Sequence, residues 1–150
     1  MNNIKLTIEL VPQTSWYSNV RSEVTTTQWN KIRKKSYEDA NHKCEICGDS
    51  GKTQGRKHAV ECHEVWQYDD QSKTQTLVKM IALCPQCHQV KHAGLANVNG
   101  KTEQVIRHLM KVNKMNRSDA VWYLDESFRI WANRSKYQWQ LNIDALNAYL

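Results

Sequence analysis

No stretch of the 150 residues is apolar for long enough to cross a membrane, and the start lacks the charged-then-apolar pattern of a secretory leader. A soluble, cytoplasmic protein with no membrane partner is the expectation. Two prolines and five glycines leave no Pro/Gly/Ser linker, and no internal repeat or low-complexity tract is visible. Nothing therefore divides the chain, and residues 1–150 read as one domain with a modest core. Acidic residues are in the minority. Residues 1–116 carry 17 Lys/Arg against 11 Asp/Glu, whereas residues 117–150 carry four of each. The basic excess lies with the first three quarters of the chain and suits a polyanionic partner.

Cysteine is present in an odd number, five, and four of the five fall into pairs. Cys44 and Cys47 form one C-x-x-C, Cys84 and Cys87 a second, with 36 residues between them. An odd count and this spacing favour metal over disulfides. Zinc takes four tetrahedral thiolate or imidazole ligands, and each C-x-x-C turn supplies two. Gly48 suits the backbone turn after the second sulfur. Such a saturated Zn2+ site stabilises rather than catalyses. Cys62, the odd one out, reads as a buried apolar thiol.

The pattern along the chain is α+β. Residues 4–11 (IKLTIELV) alternate apolar and polar up to Pro12 and predict a strand. Caps at Thr25 to Thr27 predict a helix over 27–41, with Lys31, Arg33, Lys34 and Lys35 on its polar face. Strands are expected near 57–66 and at 74–83, joined by a turn at 68–73. Pro85 opens a helix that Gly94 would close. Further helices are expected at 103–115, with Thr102 as cap and Val105, Ile106, Leu109 and Met110 inward, and after Ser118. A short helix closes the chain, and the Trp and Tyr residues of this tail follow a helical stripe that predicts core. Residues 44–94 thus form a metal-bearing core, 1–43 an arm of strand and helix, and 95–150 a helical arm.

The segment CPQCHQVKH adds a second cluster. His88 and His92 are four apart in a predicted helix, so both imidazoles lie on one face, directly after a zinc ligand. His63, from the first strand of the hairpin, would make a third ligand and leave positions open for water and phosphate.

The order C-x-x-C, a strand carrying His63, then Leu83-Cys-Pro-Gln-Cys-His-Gln-Val-Lys-His92 resembles the HNH endonucleases, which are ββα-metal (His-Me finger) nucleases. The resemblance spans about residues 44–94. It implies a zinc-stabilised ββα core with flanking helices, and one catalytic Mg2+, Mn2+ or Zn2+. It also implies hydrolysis of nucleic-acid phosphodiester bonds, in DNA more than RNA. The family's first strand carries a metal ligand followed by a histidine base. One alignment gives those positions to His63 and Glu64, another to Cys62 and His63. The first keeps Cys62 in the strand's inward series with Val60, and leaves Glu64 as base or fourth ligand. The family's middle Asn is Lys79 here. Lys79 and Lys91, together with Lys31, Arg33, Lys34 and Lys35 of the helix at 27–41 and cations near 101–114, are the expected phosphate contacts. His42 and His58 are read as bystanders. The alternative is a catalytically inactive zinc module that binds nucleic acid on the same scaffold. A homodimer surface is one use open to the arms.

Overall fold

The computed structural model describes residues 4–150. It is α+β, with six α-helices and a three-stranded sheet among these residues. None of the helices is long and apolar enough to cross a membrane.

The sheet is built on a hairpin. Strand β1 (Glu61–Asp69) pairs antiparallel with β2 (Thr74–Leu83), from Glu61 opposite Leu83 to Asp69 opposite Thr74. The register slips once: Val65 faces Lys79 and Trp66 faces Leu77, so Val78 has no partner and β2 bulges. The bulge reverses the in/out order of β2, which lets Ile81 and Leu83 serve one face while Met80 and Leu77 serve the other. A third strand, β3 (Gln140–Asn142), lies parallel to the start of β2; its three residues are too short for a periodic signal.

Each sheet face has its own core. Helices α1 (Val20–Glu23) and α2 (Thr26–Asp39) bring Val20 and Ile32 onto Trp66, Leu77 and Met80, joined by Leu146 from the C-terminal 3-10 turn. The other face packs Ile81 and Leu83 against α3 (Pro85–Lys91), α4 (Ala93–Val98), α5 (Thr102–Asn113) and α6 (Arg117–Arg134). Val90, Val105, Leu109 and Ala120 are fully buried or nearly so there. Val90, Val105 and Leu109 each contribute about 1.5–3 kcal/mol by leaving water.

Local chemistry sets the helix ends. Thr25 Oγ1 accepts from Gln28 N at 3.1 Å and Gln28 Oε1 accepts from Thr25 N at 2.9 Å, a reciprocal cap for α2. Asn116, not Ser118, caps α6 by accepting from Asp119 N at 2.8 Å. Thr102 is the first residue of α5 rather than its cap. Gly94 lies inside α4 instead of ending a helix; the break falls at His92, whose φ of −104° and ψ of 47° depart from helical values.

Residues 4–11 do not form the expected strand. Leu6 and Ile8 are buried as the alternation requires, but the backbone partner is side chains. Asn113 Oδ1 accepts from Lys5 N (3.0 Å) and Leu6 N (2.7 Å), Asn113 Nδ2 donates to Leu6 O (3.0 Å), and Tyr123 Oη accepts from Ile8 N (2.9 Å). One amide thus does for this segment what a neighbouring strand would. The aromatic tail also departs from expectation. Tyr123 and Phe128 pack on the core, but Trp122 and Tyr137 are exposed.

Candidate metal centres and the adjoining cleft

The two C-x-x-C turns meet where the end of β2 runs into α3. Gly48, at φ 81°, lets its N–H return to Cys44 O at 2.9 Å, and Cys47 N points at Cys44 Sγ at 3.5 Å. The second turn repeats this at a helix start: Cys84 is the N-cap of α3, its Sγ accepting from Cys87 N at 3.4 Å, with Pro85 in the first helical position. The four sulfurs of Cys44, Cys47, Cys84 and Cys87 lie within 4.8 Å of one another. Cys47 Sγ and Cys84 Sγ are 3.6 Å apart. Zinc–sulfur bonds of about 2.3 Å give a tetrahedral edge of about 3.8 Å, so the set fits Zn2+.

Electrostatics agree. Hydrogen bonds from Cys84 and Cys87 push the Cys44 thiol far below its ordinary range. Bonding to the Cys44 and Cys84 sulfurs, together with burial, pushes Cys87 far above it, and burial takes Cys47 up to about 12. Four sulfurs at this spacing ionise together only around a cation. His108, buried on α5, sets Nε2 3.2 Å from Cys87 Sγ. A histidine on the inward stripe of a helix, one position before Leu109, was its only signal in the sequence.

Just beyond the cysteines, His63 of β1 meets His88 of α3 and His92, the residue that caps the end of that helix. One nitrogen from each lies within 4.8 Å of the others. The ring centroids are 4.7–5.4 Å apart and the rings stand nearly edge-on. His88 Nε2 and His92 Nε2 are 3.1 Å apart. Metal–nitrogen bonds of about 2.1 Å place neighbouring ligand nitrogens about 3.0–3.4 Å apart, so this spacing also fits a divalent ion. Burial, with the nearby charges of His88, His92 and Lys91, brings His63 down to about 2; burial and His88 bring His92 down to about 4. Both are neutral at pH 7, the form that binds metal.

Glu61, absent from the sequence-based site, is part of this arrangement. It stands two residues before His63 on the same strand face. Its Oε1 bonds His88 Nδ1 at 2.8 Å and its Oε2 bonds His58 Nε2 at 2.7 Å. The His88 contact, then that to His58, pulls the Glu61 carboxyl down to about 2. With Nδ1 held by the carboxylate, His88 turns its Nε2 toward the other two rings. The period-2 step from His63 back to Glu61 was the available signal. His58 is thereby tied to the cluster rather than a bystander.

Glu64 is elsewhere. Adjacent strand residues face opposite sides, and Glu64 lies on the α1/α2 side. Its Oε1 accepts from Val20 N at 3.1 Å and its Oε2 from Trp66 Nε1 at 3.0 Å. Burial raises its pKa. With both oxygens engaged across the sheet from the histidines, it is neither their base nor a fourth ligand. Cys62 shares that face as the apolar thiol expected, pushed up to about 11 by burial.

The expected phosphate contacts are also redistributed. Lys91 is buried, with Nζ 2.8 Å from Thr7 Oγ1 and 3.0 Å from Glu9 Oε2. It clamps the N-terminal segment to α3 and is withdrawn from any external phosphate. Lys31, Arg33, Lys34 and Lys35 sit on α2, on the sheet face opposite His63. Lys35 pairs with Asp39 at 3.0 Å and Arg33 bonds Asn30. Lys79 is exposed beside the β2 bulge.

On the histidine side a cleft of about 390 Å³ opens. Glu61, His88 and His92 line it together with Arg56, Gln89 and Lys101. Comparison with protein-family models, with curated proteins and with solved structures gives no match.

Proposed function

We propose that the protein is a metal-dependent nuclease of the HNH type, hydrolysing phosphodiester bonds in nucleic acid. One observation carries this reading: a β-hairpin leads directly into a helix, and together they bring three imidazoles within 4.8 Å beside an open cleft, on a four-cysteine anchor. His63, His88 and His92 would hold Mg2+, Mn2+ or Zn2+, while Cys44, Cys47, Cys84 and Cys87 would hold structural Zn2+. The bound ion would supply charge for the departing oxygen of the phosphodiester. Glu61 orients His88. His58, half open to solvent and held by the other Glu61 oxygen, is the proton acceptor in place of Glu64.

The second reading, a non-catalytic nucleic-acid-binding module, is favoured by one specific observation: the carboxylate at the expected base position is turned into the opposite core. Incubation of purified protein with labelled DNA and RNA, with added Mg2+, Mn2+ or Zn2+, separates the two. Cutting that needs added metal and is abolished in the His88→Ala, His92→Ala double variant, with structural zinc retained, supports the nuclease. Cutting that persists in the double variant overturns the histidine site. Binding with a steep salt dependence and no cutting in any metal selects the module.

A further inference from the structure

Of the cations expected to meet phosphate, those of α2 lie across the sheet from the histidines and Lys91 is buried, whereas Lys101, at the start of α5, lines the cleft. We infer that this cleft binds the phosphodiester backbone of a nucleic-acid strand through Arg56 and Lys101. The inference rests on the reading of the protein as acting on nucleic acid and names the contacts that would hold the strand at that site.

Arg56 and Lys101 come from separate parts of the chain. Arg56 follows the 3-10 turn Gly51–Gln54, where its N–H bonds Gly51 O at 2.8 Å, ahead of β1. Lys101 is the N-cap residue of α5, placed by Gly100 at φ 70°. Both side chains are exposed, and neither has an ion-pair partner among the described residues. Among the described residues Glu61 is the one carboxylate lining the cleft, and each of its oxygens is on an imidazole. Two free cations thus face a cleft whose only acid is already engaged, and the field there favours an anion.

The rest of the lining says how the anion is held. Five amide side chains, Gln54, Gln86, Gln89, Asn99 and Gln104, offer donors and acceptors. Among the described residues no Trp, Tyr or Phe lines the cleft, so the large rings that commonly stack bases are missing from it. Charge and amides together suit phosphate and sugar oxygens, contacts that position a strand without reading its sequence. His88 and His92 open onto the same cleft, so a phosphodiester held by the two cations would reach the histidine cluster.

Binding of a fluorescein-labelled 20-nucleotide DNA strand, followed by anisotropy over a range of salt concentrations without added divalent metal, tests this assignment. The Arg56→Ala, Lys101→Ala double variant should bind about tenfold more weakly or worse. The slope of log affinity against log salt should shallow by about 1.4, since each phosphate contact on a single strand accounts for about 0.7. A Lys34→Ala, Lys35→Ala variant on α2 should bind within about twofold of wild type. Unchanged binding by the Arg56/Lys101 double variant, or a larger loss in the α2 variant, overturns the assignment. Cleavage is scored separately on the same preparations. Binding that depends on Arg56 and Lys101 without metal-dependent cutting overturns the nuclease reading and leaves the cleft assignment standing.

Discussion

Removing the Glu61 carboxylate should weaken metal binding at the histidine cluster without touching a ligand. Glu61 Oε1 holds His88 Nδ1 at 2.8 Å, which fixes the ring so that Nε2 faces His63 and His92. Carboxylates placed behind a metal-bound imidazole are worth about 10–100-fold in affinity, or about 1.4–2.7 kcal/mol. The low carboxyl pKa, about 2 against an ordinary 4.5, would correspond to about 3 kcal/mol if fully buried. A third of the Glu61 side chain is open to solvent and the shift is shared between His88 and His58, so its contacts to the two imidazoles hold about 1–2 kcal/mol between them. Glu61→Gln keeps one acceptor oxygen for His88 and should lose about tenfold; Glu61→Ala keeps none and should lose nearer a hundredfold. Co2+ titration read in the visible spectrum follows the cluster, because nitrogen-bound cobalt lacks the thiolate charge-transfer bands of the cysteine site. A Glu61→Ala protein that binds Co2+ at the histidines as tightly as wild type would refute the role assigned to Glu61.

Three other outcomes are expected. Cys84→Ser should release the structural zinc and cost about 3 kcal/mol or more, because Cys84 is both a ligand and the cap of α3; zinc content by native mass spectrometry and the urea midpoint check this. Glu64→Gln should cost about 1–2 kcal/mol, as its amide N–H2 would face one of the two donors that Glu64 now accepts from, while cleavage per folded molecule stays near wild type; loss of cleavage in folded, metal-loaded protein would return Glu64 to the chemistry. With the histidine cluster metal-free and the cysteine zinc in place, stability should fall on acidification. The His63 pKa is lowered to about 2, so below the ordinary 6.5 the unfolded chain takes up a proton that the fold refuses. The penalty is absent above pH 6.5 and grows below it at up to about 1.4 kcal/mol per pH unit, followed down to about pH 5, where the thiolates still hold zinc, and His63→Gln should flatten the profile over that range.

The sequence made the central hairpin and helix legible because their signals are local. Strand β2 runs over 74–83 as its β-branched and apolar run requires, and α3 starts at Pro85, where a missing N–H carries no penalty. The cysteine and histidine spacings survived folding because turn and helix geometry fix them. The errors fell where a long-range partner decided. Asn113 and Tyr123, more than a hundred residues away in sequence, took the hydrogen bonds that would have made 4–11 a strand. Lys91 was taken by Glu9 and Thr7 in that same segment. Glu64 shows a different failure. Strand alternation alone placed it opposite His63, but a family pattern that puts ligand and base on adjacent residues outweighed the period of two. The same period pointed to Glu61.

Helix α3 carries Cys84 at its cap, Cys87 and His88 within its first turn, and His92 at its end. Both candidate metal sites therefore share the helix Pro85–Lys91 and the two residues that flank it. With ions in both sites, a chelator that strips the cysteines would also unseat the histidines, and loss of a metal-dependent activity in EDTA would look the same whichever ion left first. Inhibition followed by rescue with Mg2+ is equally ambiguous if zinc is carried along as a trace. Assigning an activity to the histidine ion calls for loading the two sites with different metals, cadmium on sulfur and manganese on nitrogen, and reading each ion by its own resonance.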